Sequence, residues 1–287
     1  METKMLECKV VMITGGARGQ GRAHALVSAR EGADIVVTDI AGQVKTAPYD
    51  LASSADLEET VAQVEALGRR AQGIEADVRS QDQMDAAVRQ ALHEFGKIDV
   101  LIANAGTWSI APFWELTDQQ WDDTVDVCLS GVWKSAKAVT PHMIERQAGS
   151  IIIISSINGI RPNANYAHYI AAKFGVVGLM QAIALELAPY GIRCNAIHPG
   201  CVDTPIVRHQ AAYDLFAGHP GGTPDLFLEA GYRASALKGR TWLHPDEIAK
   251  TALYLNSDLA ANVTGQSISV DSGGGLLPRF NHNPIRD

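Results

Sequence analysis

A Rossmann-type, doubly wound α/β fold is what this sequence predicts: one domain, about seven parallel strands, helices on both faces. Three observations carry the prediction. Short β-branched runs alternate with longer amphipathic stretches along the chain, the pattern of a parallel sheet covered on both sides. The run from Ile151 to Ile154 is four isoleucines, as a strand buried on both faces requires. A glycine-rich turn, Thr14 to Gly21, separates the first apolar run from the first helical stretch, where such folds hold a phosphate at a helix N-terminus.

In order, the expected strands are Lys9 to Thr14, Asp34 to Thr38, Arg70 to Asp77, Ile98 to Ala103, the Ile151 run, Arg193 to Ile197 and Ser267 to Val270. The spacing of apolar residues predicts helices from the glycine turn to about Glu31, from Asp82 to Phe95, from Asp118 to Arg146 and from Ala167 to Ala188. Two segments break the rhythm, an insertion at about residues 40–55 and a Gly-, Pro- and aromatic-rich stretch at about 202–240. Loops of that length inside a compact domain are usually lids or binding loops. With no repeat, linker or low-complexity tract, residues 1–287 read as a single domain.

Composition narrows the function. The net charge of −8 and the lack of a basic run disfavour nucleic acid as a partner. Four scattered cysteines without a CxxC pair predict a reducing, cytoplasmic setting without disulfides. The nine histidines lack the spacing of a metal site, so no metal is expected. No stretch of about 18 apolar residues stands out, so no membrane span is expected.

The chemistry gathers at three places. Gly15, Arg18, Gly19, Gln20 and Gly21 form the turn that lets backbone approach a pyrophosphate. Asp39, at the end of the second strand, is placed for the adenosine ribose diol, and its charge repels a 2′-phosphate. This favours NAD over NADP, although the Arg18 guanidinium argues mildly for the phosphate. Asp77 and Val78 end the third strand near the adenine; Asn104, Ala105 and Gly106 end the fourth, where small residues allow close cofactor approach. Finally, Ser156 closes the Ile151 strand, and Tyr169 and Lys173 share one face of the following helix. A hydroxyl, a phenol and an ammonium together can move a proton on and off an oxygen. Trp108, Ile157 and Ile206 are expected to line an apolar substrate wall.

With TGGARGQG, the aspartate after strand two, DV, NAG, the serine ahead of YxxxK, and HPGCVDT in order, residues 8–275 resemble the short-chain dehydrogenase/reductase family. The resemblance implies that Tyr169 is the acid/base, Lys173 its activator and ribose anchor, and Ser156 the positioner of the carbonyl or alcohol. It also implies that Ile154, Pro199, Gly200, Val202 and Thr204 line the cofactor with Tyr169 and Lys173. An ammonium one turn away and a cationic nicotinamide are both expected to favour the phenolate. One position departs: the family's asparagine ahead of the Ile151 strand is Cys128 here. Either a backbone carbonyl or Ser130 replaces it, or proton relay is impaired.

A closer resemblance, on ARGQGR, the insertion and VEALGRR, is to the carveol dehydrogenase-like, mycofactocin-associated branch. That branch implies an insertion folded over tightly held NAD and an external redox carrier. It implies a hydrophobic secondary alcohol or ketone, carveol-like, as substrate, and a homotetramer. The alternatives are an NADP-dependent ketone reductase and a catalytically impaired NAD-binding sensor.

Overall fold

The computed structural model describes residues 4–277; the C-terminal NHNPIRD segment, for which the sequence alone allows either a reach toward a neighbouring subunit or disorder, lies outside them. Seven strands pair in one all-parallel sheet: β1 (Val10–Thr14), β2 (Asp34–Asp39), β3 (Ala71–Glu75), β4 (Val100–Ala103), β5 (Gly149–Ile154), β6 (Ile192–Pro199) and β7 (Ser267–Val270), in the order β3-β2-β1-β4-β5-β6-β7. The order reverses between β1 and β4, which opens a crevice at the C-terminal ends of the strands.

Alternation along the strands divides the core between two layers. Met12, Ile151 and Ile153 face one layer, with α3 (Gln81–Phe95), α5 (Gly131–Arg146) and α6 (Ala167–Leu187). Ile13, Ile152 and Ile154 face the other, with α1 (Gly19–Arg30), α2 (Ser54–Glu65) and α9 (Pro245–Asn256). Ile151, Ile152 and Ile153 are fully buried, so truncating any one to alanine should cost about 2–5 kcal/mol. The strand run foreseen from its four isoleucines is therefore the centre of both cores. By contrast β3 is an edge strand in which only Ile74 is buried.

Helix ends follow local chemistry. Ser53 and Asp56 form a capping box on α2, Thr117 and Gln120 another on α4 (Asp118–Val125). The helix expected to run unbroken from Asp118 to Arg146 is interrupted by a π turn, Asp126–Ser130, closed by Gly131 N–H on the Asp126 carbonyl. The segment at 202–240 is not an irregular loop. It folds into α7 (Gln210–Ala217) and α8 (Pro224–Ala234) around a small aromatic core, with Phe227 and Trp242 rings 4.7 Å apart.

α6 corrects one expectation. The stretch Ala167–Tyr190 is long and apolar enough, by length and composition, to cross a bilayer. Here its Ala172, Val176, Met180 and Ala184 pack into the sheet core and its first turns carry Tyr169 and Lys173. Its opposite face leaves Phe174 and Leu185 exposed, as α4 and α5 leave Trp121 and Trp133.

Candidate active site

A cleft runs over the C-terminal ends of β1, β2, β4 and β5. Gly15, Arg18, Gly19, Gln20, Gly21, Asp39, Asp77, Val78, Asn104, Ala105, Gly106, Ile154, Tyr169, Lys173, Thr204 and Ile206 all line it. Sequence reasoning places the remaining candidates less well. Ser155 lines the cleft as well, and Ser156 meets it through its hydrogen bond with the Tyr169 phenol. Pro199, Gly200 and Val202 do not line it: Gly200 N–H bonds the Val270 carbonyl, and buried Val202 pairs with Leu243. These three tie β6 and the following turn to β7 and to Leu243 ahead of α9. Ile157 packs toward Gly275, near the C-terminal end of the described chain.

At one end of the cleft the glycine turn meets the first helix. Gly15 has φ +64°, and a Cβ on Gly21 would stand 2.0 Å from the Gly15 carbonyl oxygen, so neither position accepts a side chain. The first turn of α1 has no side-chain cap, leaving its N–H groups for an anion. Asn104 braces this turn by donating from Nδ2 to the carbonyls of Thr14 (3.0 Å) and Gly15 (3.1 Å). Burial lifts the Asp39 carboxyl above its ordinary range, against the opposing N–H groups of Ala17, Ala41 and Ile40 and the Arg18 charge. A desolvated carboxylate with one oxygen on Ala17 N–H at 3.1 Å is suited to the two hydroxyls of a ribose and poorly suited to a phosphate. Arg18, read as a rival signal for that phosphate, spends its guanidinium on the Asp50 carbonyl. Burial also works to raise Asp77, but the forked pairing with Arg79 (2.9 and 3.1 Å) outweighs it and holds the carboxyl low.

At the other end Tyr169, Lys173 and Ser156 come together. Lys173 is almost wholly buried; its Nζ donates to the Ile154 carbonyl at 2.8 Å and lies 5.5 Å from the Tyr169 ring centre. Burial lowers its pKa, offset in part by Cys128. The phenol of Tyr169 moves opposite to expectation. Desolvation raises it, Cys128 adds to the rise, and a hydrogen bond with Ser156 opposes both. Desolvation is the largest of these effects, so the protein's own groups favour the protonated phenol. Ser156 Oγ accepts from Asn158 N–H at 3.1 Å, which leaves its proton to donate.

Cys128 sits inside the π turn, fully buried. Its Sγ donates to the Thr107 carbonyl (3.1 Å) and accepts from the Thr107 N–H (3.4 Å). The thiol thus meets both the donor and the acceptor of one backbone unit. Ser130, one of the two expected substitutes for the family's asparagine, turns to Asp126 at 3.4 Å instead.

The insertion supplies most of what sequence reasoning missed. Ile40, Val44, Tyr49, Leu51 and Ala52 all line the cleft. Three ties hold the insertion down: Arg18 on Asp50, Thr46 Oγ1 on Asp123 (2.8 Å), and Tyr49 Oη with Thr107 Oγ1 (3.1 Å). Tyr49, whose burial pushes its phenol up to about 12, also stacks on His209 at 5.3 Å, so the insertion meets the 202–240 segment over the cleft. Tyr49 is the one aromatic residue in the insertion, and that was the available signal. Trp108 belongs to the aromatic cluster beside the cleft: it is 6.1 Å from the Tyr169 ring, and its Nε1 donates to the Ile206 carbonyl at 2.9 Å.

Comparison with known proteins agrees with this fold. The short chain dehydrogenase family profile matches residues 9–214. A (−)-trans-carveol dehydrogenase of Rhodococcus erythropolis is 39% identical over 272 residues, covering 93% of this chain and 98% of its own. An NAD-dependent oxidoreductase of Mycobacterium tuberculosis is 39% identical over 270 residues, covering 93% and 96%. The crystal structure of a carveol dehydrogenase from Mycobacterium avium in complex with NAD superposes with a TM-score of 0.93 at 37% identity, over 96% of this chain and 100% of the other.

Proposed function

The chain belongs to the short-chain dehydrogenase family, and from that premise we propose that it is an NAD-dependent alcohol dehydrogenase acting on hydrophobic secondary alcohols or their ketones. One observation carries the reading: a phenol, an ammonium and a serine hydroxyl meet at one end of a cleft whose other end presents a desolvated Asp39 beside an uncapped helix. When bound, the nicotinamide accepts or gives the hydride. Ser156 donates a hydrogen bond to the substrate oxygen and orients it. Tyr169 holds or returns the proton at that oxygen, and Lys173 fixes the ribose side and the field around the phenol. Trp108, Tyr166 and Ile206 offer an apolar wall, consistent with a carveol-like terpenoid or alicyclic alcohol.

Tyr169→Phe should abolish turnover across a panel of secondary alcohols with NAD while leaving NAD binding intact. Retained turnover would overturn the acid/base assignment.

The ties that close the insertion over the cleft favour a second, finer reading, in which NAD stays bound between turnovers and an external redox carrier of the mycofactocin type reoxidises it. Mass spectrometry of the denatured, purified protein tests this. About one NAD per chain, with turnover only in the presence of an artificial electron acceptor, supports it; NAD-free protein that turns over with added NAD rejects it. The exposed Trp121, Trp133, Phe174 and Leu185 on α4, α5 and α6 support a homotetramer assembled through these helices, and sedimentation of the purified protein decides the assembly.

A further inference from the structure

His198 lies in β6 and takes no part in the mechanism above. Its side chain is fully buried, and Nδ1 stands 2.7 Å from the Ser156 carbonyl oxygen. A carbonyl only accepts, so Nδ1 carries the proton. Nε2 is buried and makes no hydrogen bond among the described residues. An orphaned buried nitrogen is costly, and an apolar side chain of similar size would avoid that cost. The bond from Nδ1 is therefore what the imidazole contributes.

The place of that bond is informative. The β5–β6 ladder runs in register to Ile154 opposite Ile197, and its last backbone bond is Ser155 N–H to the Ile197 carbonyl at 2.9 Å. Ser156 is the next residue, and the chain then leaves the sheet in a 3-10 turn, Ile157–Gly159. Its carbonyl accepts from Gly159 N–H at 2.8 Å inside that turn. The tie back to the sheet comes from His198, the residue after Ile197.

We propose that His198 is a positioning residue for Ser156: its Nδ1–H continues the β5–β6 ladder one step past the last backbone bond and sets the peptide plane from which the serine hydroxyl points at the reacting oxygen. This rests on the reading of Ser156 as the substrate positioner. His198 touches neither substrate nor cofactor in this scheme; it acts through Ser156 alone.

The test compares His198→Leu, His198→Asn, His198→Gln, Ser156→Ala and the Ser156→Ala/His198→Leu double variant, with carveol and NAD. An Asn amide nitrogen can stand near Nδ1, whereas a Gln amide reaches toward Nε2. Losing one net hydrogen bond corresponds to about a three- to tenfold fall in kcat for His198→Leu, with the KM for NAD unchanged. Asn should restore most of that loss and Gln should not. In the Ser156→Ala background His198→Leu should lower kcat no further. Equal losses in both backgrounds, or equal behaviour of Asn and Gln, would mean that His198 merely fills space. If Ser156→Ala keeps wild-type kcat, the reading of Ser156 itself fails, which is a distinct result. Independently of turnover, nitrogen NMR of the NAD-loaded protein should show His198 protonated on Nδ1, and an unprotonated Nδ1 overturns the proposal.

Discussion

Replacing Cys128 by alanine removes the sole hydrogen-bonding side chain that the structure gives to the Thr107 backbone unit among the described residues. Both Thr107 groups sit in a buried setting, and leaving a buried donor or acceptor unmet costs about 1–3 kcal/mol. Sulfur forms weak hydrogen bonds, so the lower end applies to each, about 2–3 kcal/mol together. At about 2–4 °C per kcal/mol for a chain of this order of size, the melting temperature should fall by about 4–12 °C. Thr107 also lines the cleft and holds Tyr49, so NAD affinity should weaken in the same variant. Cys128→Val keeps the volume without the bonds and should lose a similar amount. Cys128→Asn restores a stronger donor and acceptor and should melt at or above the wild type. Thermal unfolding followed by circular dichroism, with a fluorescence titration of NAD, measures all three. If alanine and asparagine variants melt together, the thiol's two bonds carry no weight and the account of the π turn is wrong.

Two further perturbations test other parts of the reasoning. Asp39→Ala should narrow the preference for NAD over NADP by at least about tenfold in kcat/KM, since each 1.4 kcal/mol of discrimination is a factor of ten; an unchanged ratio would place the cofactor choice elsewhere. Burial lowers His24 in α1 to about 3 from an ordinary 6.5. The unfolded chain takes up a proton that the folded chain refuses, so this residue's contribution to stability is intact above pH 6.5 and is lost as pH falls toward 3, at about 1.4 kcal/mol per pH unit. Urea midpoints from pH 6.5 to 5 should therefore fall less steeply for His24→Leu than for the wild type, and parallel curves would refute the assignment.

What could be read from the sequence follows the periodicity that each part obeys. The Ile151 run announces its double burial because every residue faces a core, and β7 is foreseen to the residue. The glycine turn, Asp39, Tyr169 and Lys173 are legible because their roles depend on residue type and on short spacing within one element. Ser156 was legible as a strand-end hydroxyl, while its support from His198 depends on a neighbouring strand, and no spacing along the chain encodes that register. The π turn around Cys128 is a rare local widening that no residue type in Asp126–Ser130 announces, so it passes unseen. The insertion was visible as an anomaly in length, but the ties of Thr46 to Asp123 and Tyr49 to Thr107 join residues far apart in the chain. Pro199, Gly200 and Val202 are named by motif membership alone, and in the fold they tie β6 and the turn after it to Val270 and Leu243.

The protonation of Tyr169 carries the last test. Burial pushes the phenol up and Lys173 down, so in the free protein both groups are displaced toward their neutral forms. A protonated phenol is ready to donate, as ketone reduction requires. Alcohol oxidation needs the phenolate, and a positive charge placed near the hydroxyl favours that anion. Oxidised nicotinamide is cationic and reduced nicotinamide is neutral. The phenolate absorbance that disappears in Tyr169→Phe should accordingly develop at lower pH with the oxidised cofactor than with the reduced one. A difference of one pH unit would correspond to about 1.4 kcal/mol of electrostatic preference. Raising the ionic strength should leave the difference largely intact, because a pair shielded from solvent is weakly screened. Identical titrations with the two cofactor forms would show that charge on the nicotinamide does not reach the phenol, and the direction of catalysis would then have to be set by Lys173 and Ser156 alone.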